Sequence, residues 1–426
     1  MSFRFLHLAD LHLETAFGGA PETRERLKQA TREAFENAIQ FALDRELDAL
    51  LIAGDAFDDE RLSRETARFF RKGVDRLLQA GIHVFYACGN HDPGSKGNRA
   101  AGLGFQDPEE AVGPEGACVL FKSFSPKSVT VIGRDGTPKA IVMGAGHIKD
   151  KEDRNLACKF ARPIGDLPAV GLLHTQVESA NIAAEHANYA PSWRKDYVAA
   201  NLDYWALGHI HKRQQVFEDL PVWYSGNLQG RNPRETGPKG GLLVEVRAGE
   251  EPTVEFVPLA PVEWHLLEVA SLADCTHRSD LLDALAREGE NLARTAHDRE
   301  LCLRFRPSGE CPQAHLLRIQ HEREALEEEL RDRLDVLEVQ IRANSLITPR
   351  DLTDLESTPS VQLEALKLIR AAREDDALLL ELMPSDLPGF PDGERTPERV
   401  LAYLRDRLQG LEEELLTRCF DEEAWQ

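Results

Sequence analysis

Five times in this chain a short apolar run stops and an oxygen- or nitrogen-donor side chain follows at once. Phe3-Arg-Phe-Leu-His-Leu-Ala9 leads into Asp10 and His12, Asp48 to Ala53 into Gly54-Asp55, and Gly81 to Gly89 into Asn90-His91-Asp92. Farther on, Ala169 to Leu173 leads into His174, and Tyr204 to Leu207 into Gly208-His-Ile-His211. Short apolar runs bounded by turn residues predict strands. Donors placed at successive strand ends converge on one edge of a sheet, where α/β proteins place their sites.

The intervening stretches read as helices. Pro21 to Glu46 carries Leu27, Ala30, Ala34, Phe35, Ala38 and Ile39 at helical spacing, and Leu62 to Ala80 does likewise, so the opening is β-α-β-α-β. Ser128 to Ile132, Lys139 to Met143, Gly241 to Val246 and Thr253 to Val257 read as hairpin strands. The expected fold class is α/β, with a mixed sheet or a pair of sheets and outer helices. Gly89 to Gly116 reads as a long functional loop. Leu259-Ala-Pro-Val262 marks a boundary. Beyond it a strand (Trp264 to Val269), a helix (Ser279 to Ala296), a strand (Glu300 to Phe305), a charged helix (Pro312 to Leu334) and a strand (Val336 to Ala343) predict a small β-α-β-α-β domain. From Thr348-Pro349 onward the chain reads as helical and acidic, interrupted by Met383 to Gly393. The domains expected are thus 1–258, 259–347 and 348–426.

No apolar run among the 426 residues approaches the roughly 20 that a membrane span needs, and the N-terminus lacks a signal-peptide layout. The reading is a soluble cytoplasmic chain without a membrane partner. Seven scattered cysteines with no C-x-x-C pair predict buried thiols in a reducing compartment. The net charge of -22 opposes a phosphate-backbone partner. About ten of those charges fall within Pro349 to Gln426, away from the donor-bearing half.

The candidate ligands are Asp10, His12, Asp55, Asn90, His174, His209 and His211. Oxygen and imidazole donors without cysteine suit Mn²⁺, Fe²⁺ or Zn²⁺, and seven exceed one tetrahedral zinc. Two divalent ions sharing a carboxylate would use them all, and such a pair, about 3.5–4 Å apart, clamps both reacting oxygens of an in-line phosphoryl displacement. His91, beside a ligand, is the candidate acid or charge stabiliser; the alternative is a hydrogen bond that shapes the turn. Asp92 is read as a turn-forming or His-orienting carboxylate, and His7 and His83 as packing residues within strands.

In this order the motifs resemble the calcineurin-like metallophosphoesterases. Leu6-His-Leu-Ala-Asp-Leu-His-Leu13 and Leu207-Gly-His-Ile-His-Lys212 are similar to DNA-repair exonucleases of the SbcD type, and Tyr224-Ser-Gly-Asn-Leu-Gln-Gly-Arg231 with Glu235-Thr-Gly-Pro-Lys-Gly240 to their YhaO-like branch. The resemblance covers residues 1 to about 258. It implies a four-layer α/β/β/α sandwich, manganese, and hydrolysis of DNA phosphodiesters by a metal-bound hydroxide. It places Asp10, His12, Asp55 and His211 on one ion and Asp55, Asn90, His174 and His209 on the other, with Asn90 and Arg231 as substrate contacts. It further implies that 259–347 caps the site, that the tail docks an SMC-like coiled-coil ATPase, and that the chain forms a homodimer. A solvated tail is the alternative.

Two departures from that pattern stand out. Asp58 stands where some family nucleases carry a second catalytic histidine, and Asn232-Pro233 where a histidine and an aliphatic residue are expected. Two other functions compete with a DNA-repair nuclease: a phosphodiesterase or phosphatase on a small nucleotide, and a DNA-end-binding scaffold for the ATPase.

Overall fold

The apolar runs become strands that are buried on both faces. In the computed structural model, which describes residues 2–58, 62–94, 103–178, 189–294, 299–348, 360–383, 396–408, 411, 412 and 415, β1 (Phe3–Leu8), β2 (Ala49–Ala53) and β3 (His83–Ala87) lie side by side in parallel. Every residue of β2 and β3 is buried. Strands covered on both faces lose the polar alternation of half-exposed ones, which is why these read as continuous runs.

Two sheets form. The first has the order β13-β12-β1-β2-β3-β5, adding β5 (Cys118–Phe121), β12 (Gly240–Val246) and β13 (Thr253–Pro258). The second has the order β10-β11-β9-β8-β7-β6-β4, from β4 (Ala111–Val112), β6 (Lys127–Ile132), β7 (Pro138–Gly144), β8 (Ala169–His174), β9 (Tyr204–Gly208), β10 (Gln214–Phe217) and β11 (Leu220–Tyr224). Phe5, Leu51 and Phe85 of the first sheet interlock with Val142, Leu172 and Ala206 of the second. On the outer face of the first, α1 (Pro21–Asp44) and α2 (Arg64–Gln79) bury Phe35, Ile39, Phe70 and Val74 against Leu6, Leu50 and Val84. The second is covered by α3 (Arg194–Ala200), whose Tyr197 ring meets Trp205 edge-on at 4.9 Å. Helix, sheet, sheet and helix give the expected four layers.

The Gly89 to Gly116 segment, expected to be structureless, contributes β4 to the second sheet, where Val112 pairs with Val131; its residues 95–102 lie outside the described ones. Two residues are too few to show a period.

A third sheet joins β14 (Val262–Val269), β15 (Glu300–Glu310) and β16 (Glu338–Ile341). Its far end is extended by β17 (Ser345–Ile347), which pairs with Ser308 to Glu310. The expected charged helix is two: α5 (Ala314–Arg318) and α6 (Gln320–Leu334), after α4 (Arg278–Ala293). They break at Ile319, whose backbone is extended. The C-terminal stretch forms α7 (Val361–Glu374), α8 (Asp376–Glu381) and α9 (Pro397–Leu408); the expected interruption from Met383 to Gly393 lies, after Met383, outside the described residues. The chain forms two compact units. One holds Met1–Glu268, Leu285–Arg306 and Glu324–Arg342; the other holds Val269–Ala284, Pro307–Arg323 and Ala343–Gln426. In the second unit, Ala372, Leu379, Val400 and Leu404 pack together. No helix among the described residues is long and apolar enough to cross a membrane. Of the described cysteines, five are buried and Cys158 is exposed.

Candidate metal centre

Asp10, Asp55 and Asn90 follow the carboxyl ends of β1, β2 and β3, while His174 ends β8 and His209 follows β9. Three belong to one sheet and two to the other, so the site forms where two sheet edges meet. Close approach there depends on glycine. A Cβ on Gly208 would lie 1.8 Å from Ala53 O, and one on Gly54 2.2 Å from His174 Nδ1. The turns are strained as well: Asp10, His12 and Asp55 have φ of 51, 46 and 49°, and His209 has 106°. Such conformations cost about 1–3 kcal/mol each and persist where surrounding structure imposes them. Here Asp10 N donates to Gly54 O at 3.1 Å, and His209 N to Asp10 Oδ2 at 3.1 Å.

The proton positions follow from the partners. Asp58 Oδ1 lies 3.1 Å from His12 Nδ1, and Glu235 Oε1 2.8 Å from His211 Nδ1. Ionised carboxylates only accept, so each Nδ1 carries the proton and each Nε2 is bare; at His211 the carboxylate is nearer than Arg231 Nη2, which lies at 3.1 Å. The two Nε2 atoms face each other at 3.3 Å, with Asp10 Oδ1 4.0 and 3.8 Å away. Facing lone pairs repel, and a cation among them removes the repulsion.

A second cluster obeys the same logic. His174 Nδ1 donates to Ala53 O at 2.9 Å, which leaves Nε2 bare toward Asn90 Oδ1 at 2.9 Å and Asp55 Oδ2 at 3.4 Å. His209 Nδ1 approaches the same Asn90 oxygen at 3.2 Å. Donor atoms of Asp10, Asp55 and His174 lie within 4.8 Å of one another, linking the clusters. Burial drives the Asp10 carboxyl upward and, with the Asp92 and Asp10 charges, drives Asp55 well upward. Burial also pushes His12 down to about 3 and His174 well below its usual range. Bare imidazoles and crowded carboxylates are what divalent cations bind, and this donor set fits a pair of them.

His91 stands at the margin, its side chain 42 % exposed. Its Nδ1 reaches Asp58 Oδ1 at 2.9 Å, and its ring meets that of His12 edge-on at 5.2 Å. The hydrogen bond to Asp58 raises His91 to about 9. Asp92 does not orient His91. It accepts from the backbone of Ala56 at 2.7 Å and Gly89 at 2.8 Å, and from the Tyr86 hydroxyl, so it is the turn-forming carboxylate that ties the end of β2 to that of β3. Arg231 leans on Glu235 Oε1 at 3.2 Å and Asp58 Oδ2 at 3.7 Å.

Across residues 3–213 the chain matches the family described as Calcineurin-like phosphoesterase. This is a calcineurin-like phosphoesterase domain. Over 266 residues it is 34% identical to the uncharacterized metallophosphoesterase YhaO of Bacillus subtilis (strain 168), covering 61% of each chain. The DNA double-strand break repair protein Mre11 of Aeropyrum pernix is 26% identical over 62% of this chain and 63% of its own. A subunit of the nuclease SbcCD of Bacillus subtilis (strain 168) is 23% identical over 61% of this chain and 72% of its own. The chain thus spans about three fifths of the length of YhaO and of that Mre11.

Three residues of this phosphoesterase site are not legible as site residues in the sequence. Asp58 reads there only as a missing histidine and Glu235 only as part of a motif, while Gln176, whose Oε1 meets His209 Nε2 at 3.1 Å, carries no signal. Only the spacing of three residues between Asp55 and Asp58 hints at any of them.

Proposed function

We propose that this phosphoesterase is a metal-dependent DNA nuclease acting in DNA repair, hydrolysing phosphodiester bonds as an exonuclease or endonuclease. The observation that carries the hydrolytic part is the convergence of bare His12 and His211 nitrogens, 3.3 Å apart, beside Asp10. Asp10, His12 and His211 would hold one divalent ion, Asn90, His174 and His209 a second, and Asp55 both; mixed oxygen and imidazole donors suit Mn²⁺, Fe²⁺ or Zn²⁺, and the family resemblance favours manganese. Ions bound there supply positive charge to a phosphoryl group and a water activated at neutral pH.

The protein's own groups have separable tasks. Asp58 and Glu235 fix the tautomers of His12 and His211. The Asn90 amide, adjoining the rings of His174 and His209, orients the phosphate. His91, its Nδ1 engaged by Asp58, keeps Nε2 to deliver a proton as the P–O bond breaks, so the leaving strand departs with a hydroxyl. Arg231, anchored by Glu235, adds charge at the same rim.

DNA as the substrate is supported by two relatives, one described as a double-strand break repair protein and one as part of a nuclease. On the same reading, 259–347 caps the site and 348–426 docks an SMC-like coiled-coil ATPase, within a homodimer. The test is hydrolysis by the purified chain, with Mn²⁺, of single-stranded DNA, duplex ends and a generic phosphodiester, beside His91→Ala and His209→Ala. DNA degradation lost in both variants supports the reading. Hydrolysis of the small ester with DNA left intact overturns it, as does DNA binding without turnover.

A further inference from the structure

The chain has a net charge of -22, yet one surface gathers arginines. In the third sheet Arg304 pairs across strands with Gln340, and Phe305 with Ile341. Side chains alternate between faces along a strand, so Arg304 and Arg306 of β15 share a face with Gln340 and with Arg342 just beyond β16. The opposite face is apolar: Leu303, Phe305 and Ile341 are buried. Arg342 N donates to Phe305 O at 2.8 Å, which continues the pairing and sets Arg342 near Arg306.

The charge opposing these arginines comes from Glu268 and from Glu338, which shares their face and accepts from the Gln340 amide at 3.0 Å. Arg304 rests on the neutral amide of Gln340 at 3.1 Å, and Arg306 pairs with Glu268 at 3.0 Å. Among the described residues no carboxylate pairs with the guanidinium of Arg304 or Arg342. Burial and the charges of Arg342, Arg234 and Arg306 hold Arg304 below the usual arginine range. Arginines that repel one another on an acidic protein are stabilised by an anion that binds them.

The face leads to the metal centre. Arg234 lies in the loop between β11 and β12, and that loop is fastened to β14 by Gly237 N to Trp264 O at 2.8 Å and Gln229 Nε2 to Val262 O at 2.8 Å. The same loop walls a cleft of 880 Å³ that is lined by His211, Lys212, Arg231, Arg234 and Lys239. Lys239 is committed to His211 O at 3.2 Å and Arg231 to Glu235, whereas Lys212 and Arg234 have no carboxylate partner among the described residues.

Resting on the nuclease reading, we infer that Arg234, Arg304, Arg306 and Arg342 form a track for the phosphate backbone of a DNA strand whose scissile phosphate lies at the metal centre. Guanidinium groups suit phosphate oxygens because their donors form a planar fork. Backbone contacts of this kind carry no base preference, so the track holds strands of any sequence. It also answers the charge objection: repulsion from the whole protein is met locally by Arg234, Arg304 and Arg342, none of which pairs with a carboxylate among the described residues.

The test compares the full chain with an Arg304→Gln/Arg306→Gln/Arg342→Gln variant and its triple lysine counterpart. Binding of a single-stranded oligonucleotide is measured against salt without metal, and turnover of DNA and of bis(4-nitrophenyl) phosphate with Mn²⁺. The glutamine variant should bind about tenfold more weakly or worse, with a salt slope shallower by about two, since each lost single-strand phosphate contact removes about 0.7. Its turnover of the small ester should match the parent, and the lysine variant should recover most of the slope. Equal binding and slope in parent and glutamine variant overturn the track, as does a parent that fails to bind the oligonucleotide at low salt. A parent that binds through these arginines but hydrolyses only the small ester keeps the track and overturns the nuclease reading.

Discussion

Asp58 Oδ1 lies 2.9 Å from His91 Nδ1, and the same oxygen lies 3.1 Å from His12 Nδ1. One carboxylate thus steadies both the proposed acid and a proposed ligand, and hydrogen bonds from His12 and His91 hold it well below the usual carboxylate range despite its burial. Asp58→Ala should therefore lower kcat with Mn²⁺ about 10–100-fold, the usual cost of losing a carboxylate behind a ligand histidine. Asp58→Asn, which keeps an acceptor oxygen, should lose less. Steady-state kinetics on a small phosphodiester, with Mn²⁺ titrated for each variant, read both effects; unchanged kcat in Asp58→Ala would remove Asp58 from the mechanism.

His91→Ala is expected to separate chemistry from metal binding. His91 is absent from both facing sets of bare donors, so Mn²⁺ affinity measured by calorimetry should stay within a few-fold of the parent. Turnover should fall about 10²–10⁴-fold, the range for a lost general acid. An equal loss of metal would instead make the ring a structural support.

Stability should respond to metal because Asp10 and Asp55 are buried carboxylates with neighbouring negative charge. Mn²⁺ binding only the folded state adds about 2.7 kcal/mol at a hundredfold excess over Kd. A thermal scan should show Tm rising with Mn²⁺ in the parent and much less in Asp55→Ala. An Asp55→Ala protein with the full rise would locate the ions elsewhere.

Gly208→Ala should be damaging although it adds one methyl group. The new Cβ would lie 1.8 Å from Ala53 O and 3.0 Å from the Ala9 Cβ, and neither a backbone carbonyl nor a Cβ is a flexible atom that can yield. The expected loss is about 1–3 kcal/mol or more, read as a lower urea midpoint, together with lost Mn²⁺ affinity as β2 and β9 part. A midpoint equal to the parent's would refute the close approach.

Two histidines outside the donor set give a pH dependence. His7 donates through Nε2 to Leu207 O at 3.1 Å and accepts at Nδ1 from the Tyr204 hydroxyl at 3.0 Å, so its neutral ring is satisfied between the sheets. Burial pushes His7 down to about 3 and His83 down to about 4. The unfolded chain protonates near the ordinary histidine value of 6.5 while the folded chain stays neutral. Stability is therefore fully present above 6.5 and is lost as pH falls toward 4, by up to about 3 kcal/mol for His83. Urea unfolding from pH 7.5 to 4.5 should show that slope, and His83→Gln should flatten part of it. An identical slope in the variant would assign the proton uptake elsewhere.

Much of the fold is legible because it is written at short range. Apolar residues from Leu27 to Ile39 recur at helical spacing, and β2 and the Val84 to Ala87 part of β3 are apolar runs that lead into Gly54-Asp55 and Gly89-Asn90. β4 escapes such reasoning because two residues carry no period, and the break at Ile319 because helix propensity continues through it.

By itself the sequence determined the longer strands, the helices over the first sheet and the seven donors at the strand ends, since local periodicity and turn chemistry encode each. Only the tertiary structure decided that these donors meet across two sheets, with His12 beside His211 from 199 residues away. It alone placed Asp58 and Glu235 against His12 and His211, assigned Asp92 to the turn, and brought the charge of Arg234 to bear on Arg304. Contacts between residues so distant depend on how β1, β9 and β15 are brought together, and nothing in the local alternation of side chains records that.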